Sequence, residues 1–380
     1  MIQKLLRTLA AGFIALCLMP AGPALAQEYK GVPRTFLWNP ETMPIFDAAK
    51  FKKAGPYTIG FSNSGMSNPW RVAFVHGIER AAEQNKAQIK KFFVTHADDN
   101  ATKQIADIQD LIQRGVDILL VSPVTAEALD PILAQAMKRN IPVVLVDRRT
   151  TNDSSFISFV TSSDRVLGRM NAQWLVEKLG GKGGVVMLGG LAGASPAELR
   201  IQAAKEVFAQ HPGIKVLETQ YTSWSPANGK KIMSALIKKY GDQISGVWAD
   251  SGLQGSGSLE AYVAAGTAAG KIPPHTGGDF NAMYKLAVKH QVPMIGIDYP
   301  PAMGAAAFPV LFDVLAGKGI PKRIEVNSQI VVSKGHNTPS VRGDMAVEDY
   351  AVMDGPDDML MSTGLPKDYD PKTFKADYPR

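Results

Sequence analysis

The sequence predicts an α/β protein of two doubly wound, Rossmann-like lobes, and three observations carry that reading. From residue 57 onward, short apolar runs alternate with stretches of helical period. About ten such units follow one another, too many for one comfortable open sheet, so two stacked domains fit better. The residues just past the runs are polar and repeatedly acidic, and ligands bind just beyond the carboxyl ends of the strands in sheets of this kind.

The first element is not part of that pattern. Lys4 and Arg7 precede an apolar run over 9–19, Pro20 and Pro23 break it, and Ala24-Leu25-Ala26 stands before Gln27. A basic start, a short apolar stretch and a small-residue site form a secretory signal peptide, with cleavage expected after Ala26. The run is shorter than the ~20 residues a spanning helix needs. No other stretch comes closer, so stable membrane insertion is not expected. The only cysteine, Cys17, lies inside the segment, with Leu16 where an acylated cysteine would want a small neighbour. A mature chain without cysteine tolerates an oxidising compartment without disulfides.

Composition narrows the class further. The 380 residues are 45% hydrophobic and 20% charged, as in ordinary globular proteins. Taking Lys4 and Arg7 from the 41 basic residues, against 35 acidic ones, lowers the net charge from +6 to +4. The surplus is spread out, in runs no longer than pairs such as Lys52-Lys53. Nucleic-acid binders gather their basic residues on one element, so no nucleic-acid partner is expected.

Residues 27–55 read as an irregular leader, interrupted by Pro33, Pro40 and Pro44. The apolar runs then fall at 57–61, 118–121, 143–146, 185–188, 247–249 and 294–297, with a weaker one at 275–278. Between them, Ile105, Ile108, Leu111 and Ile112 share a helix face that Gly115 ends, and Leu129, Ile132, Leu133 and Ala136 repeat it before Asn140 and Pro142. Continuous apolar runs are what parallel strands look like when helices cover both faces. Past the runs come Ser62 and Ser64, then Asp147-Arg148-Arg149, Asp250-Ser251, Asp279 and Asp298. A lone acid there can be a helix N-cap, but several at corresponding strand ends suggest a shared site.

The segments Ser67-Asn68-Pro69-Trp70, DIQDLIQRGVDILLV (107–121), IPVVLVDR (141–148) and GGLAGASPAELR (189–200) occur in that order. On them, residues 57–332 resemble the periplasmic sugar-binding proteins of the ribose-binding type, the type I periplasmic binding proteins. These serve ABC importers and share their fold with the ligand domain of LacI-type repressors. The resemblance implies two lobes joined by a hinge of three crossings, near Asp164, Asp298 and Asn327. The N-terminal lobe would comprise 56–163 plus 299–326. The C-terminal lobe and tail would comprise 164–298 plus 327–380. Asp250-Ser251-Gly252 stands where the family has Asn-Asp, and His275-Thr276-Gly277-Gly278-Asp279 replaces its branched strand. The leader and the tail from Gly335 have no counterpart in the family.

The ligand set implied is Ser64, Asn68, Trp70, Asp147, Arg148, Arg200, Trp224, Asp250, Ser251, Asp279 and Asp298. Carboxylates and guanidiniums suit a sugar or polyol, because ionised groups make the stronger hydrogen bonds and one carboxylate can accept from two vicinal hydroxyls. Aromatic faces cover C–H surface. Trp70 and Trp224 match aromatic positions of the family, whereas Trp38, Trp174 and Trp248 read as core. No metal or cofactor is called for. The implied role is a monomeric periplasmic binding component that delivers ligand to an ABC permease and its ATPase. A sensor presenting the same ligand to a chemoreceptor or kinase remains open on the sequence. A secreted glycoside hydrolase would need an acid–base carboxylate pair. No H-E-x-x-H, G-x-S-x-G or nucleotide-loop pattern occurs. A repressor would need a helix-turn-helix where the signal segment stands.

Overall fold

The computed structural model describes residues 30–32, 44–348, 350–366 and 368–380. The signal segment with Cys17, and Trp38, lie outside these residues.

Chain order explains the architecture. The first lobe opens with β1 (Ile45–Asp47) and β2 (Tyr57–Asn63), followed by α1 (Pro69–Gln84), β3 (Ile89–His96), α2 (Ala101–Gln113), β4 (Ile118–Val121), α3 (Asp130–Lys138), β5 (Val143–Val146) and β6 (Ser158–Thr161). The second contains α4 (Asp164–Lys178), β7 (Gly183–Gly189), α5 (Ser195–Ala209), β8 (Ile214–Tyr221), α6 (Pro226–Tyr240), β9 (Ile244–Ala249), α7 (Gly252–Ala264), β10 (His275–Gly277), α8 (Asn281–Lys289) and β11 (Met294–Ile297). The chain then returns with α9 (Met303–Leu315), β12 (Gly319–Pro321) and β13 (Arg323–Glu325), and ends in the second lobe's sheet with β14 (Ile330–Val332) and β15 (Ala346–Val347).

The first lobe's six-stranded sheet runs β13-β6-β5-β4-β2-β3, parallel throughout. The second lobe's seven-stranded sheet runs β15-β14-β11-β10-β9-β7-β8, with β14 antiparallel to β11. Central strands such as β4 and β5 are buried at every residue, as parallel strands between two helical layers must be. Edge strands β3 and β8 alternate exposed Lys90 and Lys91, or Lys215, with buried Ile89 or Ile214. Among the described residues, no helix is long and apolar enough to cross a membrane.

Three segments carry the chain between sheets: from β6 to α4, from β11 to α9, and from β13 to β14. They are bonded to one another. Ser162 Oγ lies 2.6 Å from Ser328 Oγ, and Gln329 N donates to Asp298 Oδ1 at 2.5 Å.

The leader and tail hold more structure than their patterns suggest. In the leader, β1 pairs antiparallel with β12, and Phe51 is buried. Three residues of strand are too short to show a period. In the tail, β15 extends the second sheet beside β14. The last stretch, read together with 327–380 as part of the C-terminal lobe, instead lies on the first lobe. Tyr369 meets His76 of α1, and Pro379 O accepts from Phe92 N of β3.

Candidate ligand cleft

The carboxyl ends of both sheets face one cavity between the lobes. It is lined by Asn68, Trp70, Arg71, Asp147, Arg148 and Tyr299, with Pro196, Arg200, Trp224, Asp250, Ser251, Leu253, Asp279 and Ile297 completing the wall. Its atom-free space is about 450 Å³ counting the mouth and the solvent outside it.

Helix starts and strand ends place these groups. Asn68 caps α1 by accepting from Arg71 N at 2.9 Å, and Ser251 caps α7 by accepting from Leu253 N at 3.2 Å. The strand-end acids are not caps. Asp147 and Asp279 sit at φ 64° and 45°, the left-handed region that Asp enters more readily than most residues. Strained backbone of this kind gathers at functional sites.

Each carboxylate is tethered by one oxygen or by its near neighbours. Asp147 Oδ2 accepts from Arg71 Nη2 at 2.6 Å and Ser122 Oγ at 2.9 Å. Asp279 Oδ2 accepts from Tyr299 N at 3.2 Å and Ser362 Oγ at 2.7 Å. The Oδ1 atoms of both have no hydrogen-bond partner among the described residues. Asp250 accepts from Trp224 Nε1 at 3.1 Å, from Gly190 N at 3.1 Å and from Gln254 Nε2. Burial pushes its carboxyl up to about 6, against the pull of Arg200, and raises that of Asp279 as well.

The guanidiniums are held just as firmly. Arg148 gives Nη1 to Pro123 O and Val124 O, at 3.3 and 3.1 Å, while its buried Nε, 3.7 Å from Asp147 Oδ2, has no hydrogen-bond partner among the described residues. Burial, aided by Arg71, lowers its pKa to about 9 despite Asp147. Arg200 donates from Nε to Asp164 Oδ1 at 2.9 Å and from Nη1 to Asp250 O at 3.3 Å. Burial works against its charge, but Asp164 and Asp250 carry its pKa above the usual value. Buried charges persist only when paired, and Arg71, Arg148 and Arg200 here stand against Asp147, Asp250 and Asp279, with Asp164 behind Arg200.

Aromatic rings complete the walls. Trp70 stacks on Phe74 at 5.2 Å and lies 5.7 Å from Tyr299. The Arg200 guanidinium sits 4.2 Å above the Tyr299 ring, and Arg148 of one lobe sits 5.1 Å over Trp224 of the other. Gly190 makes room for Trp224, since a Cβ there would fall 1.9 Å from Cε2. Direct bonds also join the lobes at the mouth, from Ala126 N to Gly193 O at 3.0 Å and from Arg149 N to Ser195 Oγ at 2.9 Å. The cleft is closed. Trp174 and Trp248 are fully buried in the core.

Nine of the eleven residues read from the sequence line this cavity, and two do not. Ser64 stays outside because it joins loops: its carbonyl accepts from Asp99 N at 2.7 Å. Asp298 turns away because Gln329 N holds its Oδ1, while Thr363 N and Oγ1 each donate to Oδ2 at 2.7 Å. Tyr299, the next residue, takes the place at the cavity and donates from its hydroxyl to Asp147 O at 2.8 Å. Tyr299 and Arg71 were missed, although each directly follows a residue that was singled out. A guanidinium one step after the Asn-Pro-Trp segment was the available signal for Arg71.

Relatives share this plan. The model of the periplasmic binding protein domain matches residues 59–319. The galactofuranose-binding protein YtfQ of Escherichia coli (strain K12) is 30% identical over 223 residues, spanning 57% of this chain and 69% of its own. The ribose import binding protein RbsB of Bacillus subtilis (strain 168) is 29% identical over 280 residues, spanning 73% and 88%. Among solved structures, the binding protein of the arabinose ABC transporter from Shewanella sp. ANA-3, bound to α- and β-L-arabinofuranose, superposes with a TM-score of 0.66. It has 28% identity and covers 72% of this chain and 91% of that one. Two doubly wound lobes closed on a polar cavity, and a family match over most of the length, lead to one conclusion: the chain belongs to the periplasmic binding protein family.

Proposed function

We propose that the protein captures a neutral monosaccharide or polyol in the interlobe cavity and delivers it to an ABC permease driven by its ATPase. One observation carries the reading. Asp147, Asp250 and Asp279 stand against Arg71, Arg148 and Arg200 in a closed, aromatic-walled cavity, where the unpaired Oδ1 atoms of Asp147 and Asp279 can accept hydroxyl protons. Burying a hydroxyl without a partner costs ~1–3 kcal/mol, so a guest with several hydroxyls needs such a lining. The relatives named above are described with galactofuranose, ribose and L-arabinofuranose, which supports a sugar-sized, hydroxyl-rich guest. Asn68, Trp70, Trp224 and Ser251 would complete the contacts. The protein works as a periplasmic monomer that begins at Gln27 after removal of the signal segment.

The experiment is a thermal-shift screen over D-ribose, D-xylose, L-arabinose, D-galactose, xylitol, myo-inositol and, as controls, cadaverine and lysine. A ligand at 100 times its Kd adds ~2.7 kcal/mol of stability. A shift with sugars or polyols alone supports the reading. A shift with the amines alone overturns it.

A further inference from the structure

The C-terminal segment packs on both lobes, with Met361 against the core of the second and Tyr378 against that of the first. Over 357–363 it lies on the second lobe: Asn281 N donates to Met359 O, Met361 N donates to Asp279 O, and Lys285 pairs with Asp357 at 2.7 Å. It then passes the second crossing at Gly364, which is at φ +78°; a Cβ there would fall 2.7 Å from Ala302 Cβ. From there it settles on the first lobe. The Phe374 ring stacks 4.2 Å from His76 and lies under Arg80, Tyr369 hydroxyl lies 3.0 Å from His76 Nδ1, and Tyr378 donates to Glu79 at 2.6 Å. The segment is thus a fourth link between lobes, in addition to the three hinge crossings.

Where this link meets the cleft, it holds two strand-end carboxylates. Ser362 Oγ donates to Oδ2 of Asp279, a cavity residue, leaving Oδ1 unpaired. Thr363 gives both its N–H and its hydroxyl to Asp298 and so keeps that carboxylate out of the cavity. Arg200 and Asp298 act on Asp279 through their charges, and the Tyr284 hydroxyl accepts from Asp279 N at 2.8 Å. Ser362 is the only side chain from outside the two sheets' connections that touches a cavity carboxylate among the described residues.

We propose that the 357–379 segment is a working part of the ligand site: Ser362 and Thr363 position Asp279 and Asp298, and the segment's grip on both lobes limits how far the empty cleft opens. The inference rests on reading the cavity as the ligand site, and its test has one arm that needs no ligand. Spin labels at Q113C and K289C, one exposed position on each lobe, are placed in the chain from Gln27, which has no cysteine of its own, and their distance is measured by dipolar spectroscopy. In the ligand-free protein, F374A and T363V are each expected to lengthen and broaden the distance distribution. Unchanged distributions in both variants overturn the proposal, whatever the protein binds.

The second arm is calorimetric titration with D-ribose, L-arabinose and xylitol. S362A is expected to weaken binding about tenfold, the order expected for losing one hydrogen bond to a charged group. S362T, which restores the hydroxyl, is expected to recover it. Equal affinity in S362A and the parent overturns the positioning role. A parent chain that binds none of the three, together with lengthened distances in the tail variants, sets aside the sugar reading and leaves the interlobe link standing.

Discussion

Arg200 Nε donates to Asp164 Oδ1 at 2.9 Å, which ties a cavity guanidinium to the first residue of α4, just past the first crossing between lobes. Asp164 Oδ2 has no hydrogen-bond partner among the described residues, and burial pushes the carboxyl up to about 6 against the pull of Arg200 and Arg323. D164N keeps the shape and removes the charge. It is expected to weaken sugar binding about tenfold, since charge-assisted bonds are about twice as strong as neutral ones, while leaving the protein folded by circular dichroism. Calorimetric titration that finds the parent affinity would separate Asp164 from the site.

Asp147 faces two cations, Arg71 at 2.6 Å and Arg148 at 3.7 Å. D147N removes the countercharge but keeps an oxygen for Ser122 and Arg71. The loss of stability is expected at about 1–3 kcal/mol, and ligand-induced thermal shift should vanish. R148A should also abolish the shift, and it removes the donor to Pro123 O and Val124 O. Shifts that survive in both variants would move the site elsewhere.

The Gly190 position tests the role of Trp224. G190A would drive the indole from its place and break its 3.1 Å bond to Asp250. Overpacking of this kind costs about 1–3 kcal/mol. The expected result is a changed tryptophan emission spectrum and at least about tenfold weaker binding. An unaltered spectrum with full affinity would show that Trp224 takes no part.

Stability should respond to pH in a defined sense. Burial raises the carboxyls of Asp164 and Asp250 to about 6 and that of Asp298 to about 7, while the unfolded chain keeps values near 3.8. The folded protein therefore binds more protons between these limits. The stabilisation from these groups is complete below about pH 4 and is lost as pH rises to 7. In D298N, one such group no longer titrates. The stability gap between D298N and the parent, from urea midpoints without ligand, is expected to move in the variant's favour from pH 5 to pH 8. A constant gap would contradict the buried-acid account.

Much of the fold was legible because burial leaves a plain mark. The apolar runs at 118–121, 143–146 and 294–297 coincide with β4, β5 and β11, each buried at every residue. Strands β3 and β8 escaped notice because they are sheet edges, where Lys90, Lys91 and Lys215 face solvent and interrupt the apolar run. Strand-end acids located the cleft through topology alone. Their roles within it depended on distant partners: Asp298 is drawn away by Thr363, 65 residues later. No local pattern reports such a contact.

The bond from Phe92 N to Pro379 O, at 2.6 Å, has a consequence for pairing at the edge of the sheet. Strand β3 is an outer strand of its sheet, and outward N–H groups on such strands invite pairing with another molecule. Here the chain's own last residues occupy one of those donors, and Tyr378 packs edge-on against the Phe92 ring at 5.3 Å. A foreign strand would have to displace Tyr378 and Pro379 before it could pair at this donor.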